Sequence, residues 1–422
     1  MSGTTPPDGP LPRPPRLKEA AAPSERDASS AAAAAQAAPT PSREPRRVVL
    51  IGAGHTHLLL VHWWGRRPIP DVDLILINAF DRFAYSGMVP GAIAGLYPFA
   101  DVLVDLPALC ERCRVTLVVD RVVRLQSARQ TIELAHQPPL SFDVASVNIG
   151  SVPSAEFLCQ THRMLVGLKP LATLGPRLEG RLRELLTQHR EAGRTDLMPV
   201  AIVGGGAAGV ELALCLDERA YRARWPLELM IVEGGGDLLP GHSRSARRRV
   251  RRLLKQRGIE VYFGRRVVGC HEEGPSALVL DDGSPLPCEL ALWATGTAPP
   301  HVLEQYDLPK TPRGFLAVNP TLQSTAEVPV FAAGDVADVF GRPVPKAGVY
   351  AVREAKILWN NLHRLLAGQP LLEYHPQRSF LSLMTCGDGT ALLDYHGFAC
   401  RSRWAWWLKC WIDRRFVRQF QR

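Results

Sequence analysis

Glycines 52 and 54, and again 204, 206 and 209, have the spacing of a backbone turn that grips phosphate. VVLIGAGHTHLLL (Val48 to Leu60) and PVAIVGGGAAGVELAL (Pro199 to Leu214) each pass from an apolar strand-type run, through such a turn, into a helix-type run. In the GxGxxG pattern the first glycine permits the tight turn and the second lets backbone approach a pyrophosphate at the helix N-terminus. The third allows helix and strand to pack closely. Gly204, Gly206 and Gly209 fill all three positions, whereas the first turn has Gly52 and Gly54 and puts His57 third. One dinucleotide needs one such unit. A pair predicts one dinucleotide held as a cofactor and a second that comes to it.

The strand after each turn should supply a ribose partner. LELMIVEGG ends at Glu233, whose carboxylate would accept from a free ribose 2′-hydroxyl and repel a 2′-phosphate, favouring NADH over NADPH. After the first turn the matching residue is Asn78, at the end of the Leu74 to Ile77 run, with Asp81 three residues on. VPVFAAGDVAD (Val328 to Asp338) gives a further strand ending in Gly334 and Asp335, a layout suited to a sugar hydroxyl beside a second helix start.

These motifs need elements to carry them, and 422 residues at 46% hydrophobic content suffice for two domains with ordinary cores. Cys110 and Cys113, in CERC, have no second pair to complete a zinc site, and no cysteine lies between Leu58 and Met88, where a disulfide reductase would carry its dithiol. The net charge of +9 is concentrated at Arg43 to Arg47, Arg244 to Arg257 and Arg401 to Arg422. Without aromatic interleaving or a reader motif in the Arg244 cluster, nucleic-acid binding is not expected. No apolar run reaches the roughly 18 to 20 residues that span a bilayer. Residues 1–44, rich in proline and alanine, read as a disordered extension.

IGAGHTH, AYSGMVPGAIAGLY, VGGGAAGVELAL, LWATG, VFAAGDVAD and PKAGVYAVREA together resemble the FAD-dependent pyridine nucleotide-disulfide oxidoreductase superfamily, over roughly Arg46 to Phe420. The branch is similar to type II NADH dehydrogenases, sulfide:quinone reductases and the flavoprotein domain fused to selenophosphate synthetase. The resemblance implies an α/β fold of two Rossmann-like dinucleotide-binding domains, an FAD domain with an inserted NAD(P)H domain, plus a C-terminal α/β segment. The expected boundaries are 45–153 and 297–367 for FAD, 154–296 for NAD(H) and 368–422 for the C-terminal segment. FAD would be held by Gly52, Gly54, His57, Asn78, Ser86, Gly87, Gly334 and Asp335, with Ala347 and Gly348 beside the flavin ring. NADH would lie on Gly204, Gly206, Gly209, Glu233 and Gly296. Lys346, Tyr350 and Glu211 are the catalytic candidates.

The acceptor is expected to be a quinone. RSRWAWWLKCWIDRRFVRQF carries Trp404, Trp407, Leu408, Trp411, Ile412 and Phe416 near helical period, with seven Arg or Lys against one Asp from Arg401 to Arg422. Such a helix suits an anionic membrane surface, which would make the protein cytoplasmic and peripheral on the inner face of the membrane. Packing of the same tryptophans on the FAD domain or in a homodimer stays open. A flavin enzyme oxidising sulfide or a selenium compound through Cys159 and Cys386 is the alternative, and a non-catalytic redox-sensing or docking flavoprotein is a third.

Overall fold

The computed structural model describes residues 44–154, 163–271, 276–377 and 379–421. Cys159 lies outside the described residues, as does the extension before Glu44.

Two parallel five-stranded sheets organise the chain. The first contains β1 (Arg46–Ile51), β2 (Val72–Asn78), β3 (Thr116–Val119), β4 (Val144–Val147) and β10 (Val330–Ala332), in the order β10-β4-β1-β2-β3. The second contains β5 (Leu165–Gly167), β6 (Met198–Val203), β7 (Leu227–Glu233), β8 (Glu260–Phe263) and β9 (Leu290–Trp293), in the order β5-β9-β6-β7-β8. Each sheet has a glycine-turn strand, β1 or β6, with the next strand in sequence on one side and a much later one on the other. The chain therefore leaves each turn at a topological switch point, where a crevice opens beyond the strand ends.

These strands read as continuous apolar runs because both faces are covered. Val200, Ile202, Leu229 and Ile231 face one core, while Ala201, Val203, Met230 and Val232 face another. The helices are α1 (His55–Trp64), α2 (Val89–Ile93), α3 (Leu106–Cys113), α4 (Leu174–Glu191), α5 (Ala207–Ala223), α6 (Arg244–Gln256), α7 (Gly348–Leu366) and α8 (Arg403–Gln421). The two connections between the sheets lie side by side: Val152–Pro153 pairs antiparallel with Thr297–Ala298, and Ser154 N–H donates to Gly296 O at 2.6 Å.

A third, antiparallel sheet follows, formed by β11 (Ser382–Thr385), β12 (Ala391–Tyr395) and β13 (Phe398–Ser402). Met384, Leu392 and Ala399 press on the core shared with α5, whereas Ala391 and Leu393 meet Ala405 of α8. From there α8 runs on to the first core, where Val417 and Phe420 are buried. Its tryptophans face outward, and its buried side mixes apolar residues with a charged pair. Trp404, Trp407 and Trp411 are 61%, 71% and 62% exposed, while Lys409 and Asp413 are buried. Among the described residues no helix is long and apolar enough to cross a membrane.

Candidate active site

The first glycine turn, the start of α7 and the Gly334–Val336 turn meet around Asn148, at the end of β4. Asn148 O accepts from Gly54 N at 3.1 Å, and its side-chain amide donates to Ala333 O at 2.6 Å. A Cβ on Gly54 would lie 2.2 Å from Asn148 Oδ1, and one on Gly334 would lie 2.7 Å from Nδ2. Thr56 Oγ1 donates to Ala351 O at 2.7 Å, tying α1 to α7. Gly52, Gly54, Gly334, Asp335 and Gly348 thus come from opposite ends of the sequence to one place. Asn148 was missed by sequence reading; its only signal is a polar residue closing the apolar run VASVN.

His57 requires a correction. It is fully buried, with Nδ1 2.7 Å from Gly52 O and Nε2 2.8 Å from Ser146 Oγ. In the second unit a Cβ on Gly209 would fall 1.9 Å from the corresponding carbonyl, that of Gly204. The first unit replaces that close backbone approach with an imidazole hydrogen bond. His57 therefore braces the turn from behind and presents no free polar atom to a ligand. His55, two residues earlier, lies nearer the open side: its Nε2 is 3.4 Å from where a Gly348 Cβ would sit. Burial brings its pKa down to about 4, with Asp335 opposing and Lys169 assisting.

The helix starts fit an anionic cofactor. α3 and α6 are closed by the side chains of Asp105 and Ser243, whereas α1, α5 and α7 have no side-chain cap and no acid in their first turns. An uncapped start leaves backbone N–H groups and the positive end of the helix dipole for a phosphate. At the ends of the second strands, Asn78 Oδ1 accepts from Ala53 N at 2.9 Å, and Glu233 Oε2 accepts from Gly205 N at 2.6 Å. Gly235 N–H donates to Glu233 Oε1, also at 2.6 Å. Both side chains hold their glycine turns in shape, and a carboxylate keeps lone pairs for a ribose.

The FAD-side candidates divide by exposure. Asp335 accepts from Ser151 Oγ at 3.2 Å and is partly open. Lys346 is already committed: its ammonium is 2.7 Å from Asp338, donates to Ala337 O and lies 4.2 Å from the Phe315 ring centroid. Its charge is spent within the fold. Tyr350 is buried, its hydroxyl 3.5 Å from Gln377 O and its ring edge-on to Phe380. Beneath the turn sits Glu354, whose Oε2 accepts from Gly334 N at 2.5 Å. Burial pushes this carboxyl up to about 7, opposed by the Gly334 N–H and Lys346 and assisted by Asp335. A raised carboxyl pKa makes ionisation costly, so this stability is full below about pH 4.5 and is lost as pH rises through 7. Glu354→Gln keeps the acceptor for Gly334. It should melt above the wild type at pH 8 and level with it near pH 4.5, as scanning calorimetry will read.

Glu211, in the second turn of α5, faces the third sheet and α8. Thr385 N–H donates to its Oε1 at 2.7 Å. Burial pushes the carboxyl up to about 7, against the pull of Lys409 and the Thr385 N–H and with the help of Asp413. Lys409 Nζ donates to Gly87 O at 2.8 Å and to Asp413 Oδ2 at 2.9 Å. The Ser86–Gly87 loop is thereby bound to α8. Lys409 and Asp413 are buried charges that sequence reading passed over, since a charged pair in a basic aromatic helix reads as solvent-facing. Cys386 is buried, its N–H bonded to Thr390 O, beside Cys215 of α5, and burial raises its thiol to about 11. Burial of this kind favours the protonated, weakly nucleophilic form, which speaks against Cys386 as a sulfur carrier. Among the described residues no His, Cys, Asp or Glu cluster fits a metal ion.

A family model described as pyridine nucleotide-disulphide oxidoreductase matches residues 172–355. The chain is 25% identical over 368 residues to a demethylphylloquinone reductase, NdbB, of Synechocystis, covering 82% of this chain and 86% of that one. The sulfide:quinone oxidoreductase of Aquifex aeolicus superposes with a TM-score of 0.74 at 17% identity, covering 89% of this chain and 91% of that one. NDH2 of Plasmodium falciparum, solved with NADH, superposes at 0.75 and 13%, covering 89% and 97%. The chain carries the fold of the FAD-dependent pyridine nucleotide-disulfide oxidoreductases, and it is related to their type II NADH dehydrogenase and sulfide:quinone oxidoreductase branch.

Proposed function

We propose that the protein oxidises NADH and passes the electrons through FAD to a quinone at a membrane surface. The observation that carries this reading is the packing around Lys409, which bonds the Ser86–Gly87 loop, acts on Glu211 of the second glycine unit's helix, and stands on a tail helix that faces outward with three tryptophans. FAD would rest on Gly52, Gly54, Asn78, Ser86, Gly87, Gly334, Asp335, Ala347 and Gly348, with His57 as a brace. NADH would rest on Gly204, Gly206, Gly209, Glu233 and Gly296.

When bound, the flavin supplies the chemistry that takes hydride from NADH and returns two electrons to the acceptor. The chain's own groups do the rest. The two switch-point crevices orient the dinucleotides, and the Glu233 carboxylate selects a free ribose hydroxyl. Glu211, ordinarily too acidic to hold a proton at neutral pH, is raised far enough to deliver one to a quinone oxygen. Lys346 and Tyr350 steady the start of α7, a positioning role, because the Lys346 charge is already paired within the protein.

Trp404, Trp407 and Trp411 place indoles along the outer side of α8, beside Arg403, Arg414, Arg415 and Arg418. That pairing of aromatic rings and cations suits the headgroup layer of an anionic bilayer, where a lipid-dissolved quinone is already at hand. The test is anaerobic stopped-flow absorbance: NADH should bleach the flavin, and a short-chain quinone should restore it. Flotation on liposomes with anionic lipid should carry the wild type up and leave a Trp404→Ser, Trp407→Ser, Trp411→Ser variant behind. Failure of either flavin phase rejects the reaction, and equal flotation of the two proteins rejects the membrane role.

A further inference from the structure

Lys409 and Asp413 are each only 6% exposed, a burial that charged residues tolerate only when paired. They bond to each other and to the loop that precedes α2. Lys409 reaches Gly87 O at 2.8 Å and Asp413 at 2.9 Å, and Asp413 Oδ1 accepts from Tyr85 Oη at 3.2 Å. Tyr85 stacks on Phe416, one turn further along α8, at 4.7 Å between centroids, and it meets His55 edge-on at 5.5 Å. Asp413 is therefore the point at which the tail helix grips the loop from both sides.

The groups that face this pocket are Lys409 and Cys410 from α8, Tyr85 and Tyr97 from the loop and the turn after α2, and Glu211 and Cys215 from α5. One ammonium thus serves two carboxyls. With both ionised the pocket would hold an uncompensated negative charge, so it retains a proton near neutrality. Burial raises Asp413, with Lys409 and the Tyr85 hydroxyl opposing. Burial also works against the Lys409 charge, but Asp413 and Glu211 outweigh it and hold that pKa above its ordinary value.

We propose that Asp413 is the positioning residue of the acceptor half-reaction: it holds the Lys409 ammonium and, together with it, fixes the Tyr85–Gly87 loop to α8 beside the helix of Glu211. The inference rests on the acceptor role proposed for Glu211. It makes the tail helix a working part of the site as well as its anchor.

The test measures flavin reduction by NADH and reoxidation by a short-chain quinone separately, as functions of pH, in the flavin-loaded full-length protein. In Asp413→Asn the whole Lys409 charge falls to Glu211, which then loses its proton at lower pH. The reoxidation midpoint should drop by about one unit, slowing that step about tenfold on the alkaline side, while flavin reduction keeps its wild-type rate. The paired variant Lys409→Met, Asp413→Leu keeps an apolar filling and should move the midpoint in the opposite direction, since the stronger Lys409 influence goes too. Asp413→Glu should restore the wild-type midpoint. Backbone amides at 85–88 should exchange faster with deuterium in Asp413→Asn. Unmoved midpoints in both charge-removing variants, or shifts of the same sign, overturn the proposal, and so does equal slowing of both half-reactions. A wild-type protein that NADH fails to bleach overturns the proposed function instead.

Discussion

Gly54→Ala should purify without yellow colour, retaining less than about 1% of the flavin held by the wild type. The alanine Cβ would need to occupy space 2.2 Å from Asn148 Oδ1 and 2.5 Å from Asn148 O. Asn148 cannot withdraw, because the same residue anchors Ala333 and the Gly334 turn. Moving it opens the cradle on both sides, and a loss of about 3 kcal/mol in cofactor affinity is a more than hundredfold weakening. Gly206→Ala provides the contrast. Gly206 has an ordinary negative φ of −69°, and a Cβ there would meet nothing within 4 Å. The protein should fold and hold flavin normally, yet its KM for NADH should rise at least about tenfold, since the methyl group would occupy the path of the pyrophosphate. Flavin absorbance after dialysis and steady-state kinetics check the pair. A yellow, dialysis-stable Gly54→Ala protein would remove Asn148 from the centre of the cofactor site.

Glu211→Gln should separate the two halves of the reaction. The amide oxygen can still accept from Thr385 N–H, so packing survives, but the side chain has no proton to release. Reoxidation by quinone should fall about 10²-fold, within the range for loss of a general acid, while bleaching by NADH stays near its wild-type rate. The sign of the pH dependence follows from the raised carboxyl. Wild-type reoxidation requires the protonated acid and declines as pH rises through about 7; the variant should show no such decline. An unchanged pH profile in Glu211→Gln would place the proton donor elsewhere.

Much of this architecture was legible in the residues. Both parallel sheets announced themselves as apolar runs ending in glycine turns, because strands covered on two faces need no polar alternation. The convergence of Gly52 with Gly334 was also readable, through the strand ending in AAGD. What stayed hidden depended on long-range pairing. Asn148 and Glu354 look ordinary in sequence, and their importance comes from backbone groups many residues away. His57 looked like a degenerate ligand position because the pattern gives no direction for a side chain, which here turns inward to Gly52 O and Ser146. The tail was legible only in part. Periodicity located the two sides of α8, but it could not disclose that an ion pair would be the buried side, since that depends on Gly87, Tyr85 and Glu211 being waiting for it.

The twin connectors at Val152–Pro153 and Thr297–Ala298 carry a consequence for how such a molecule could be built. Because outgoing and returning chains are already cross-paired, Pro153 opposite Thr297, the segment between them enters and leaves at one seam. Its core is shared with Val89 and Ile93 of α2 and with Met384, Leu392 and Ala399 of the third sheet, so a foreign nucleotide module grafted at that seam must reproduce this apolar face as well as the aligned ends.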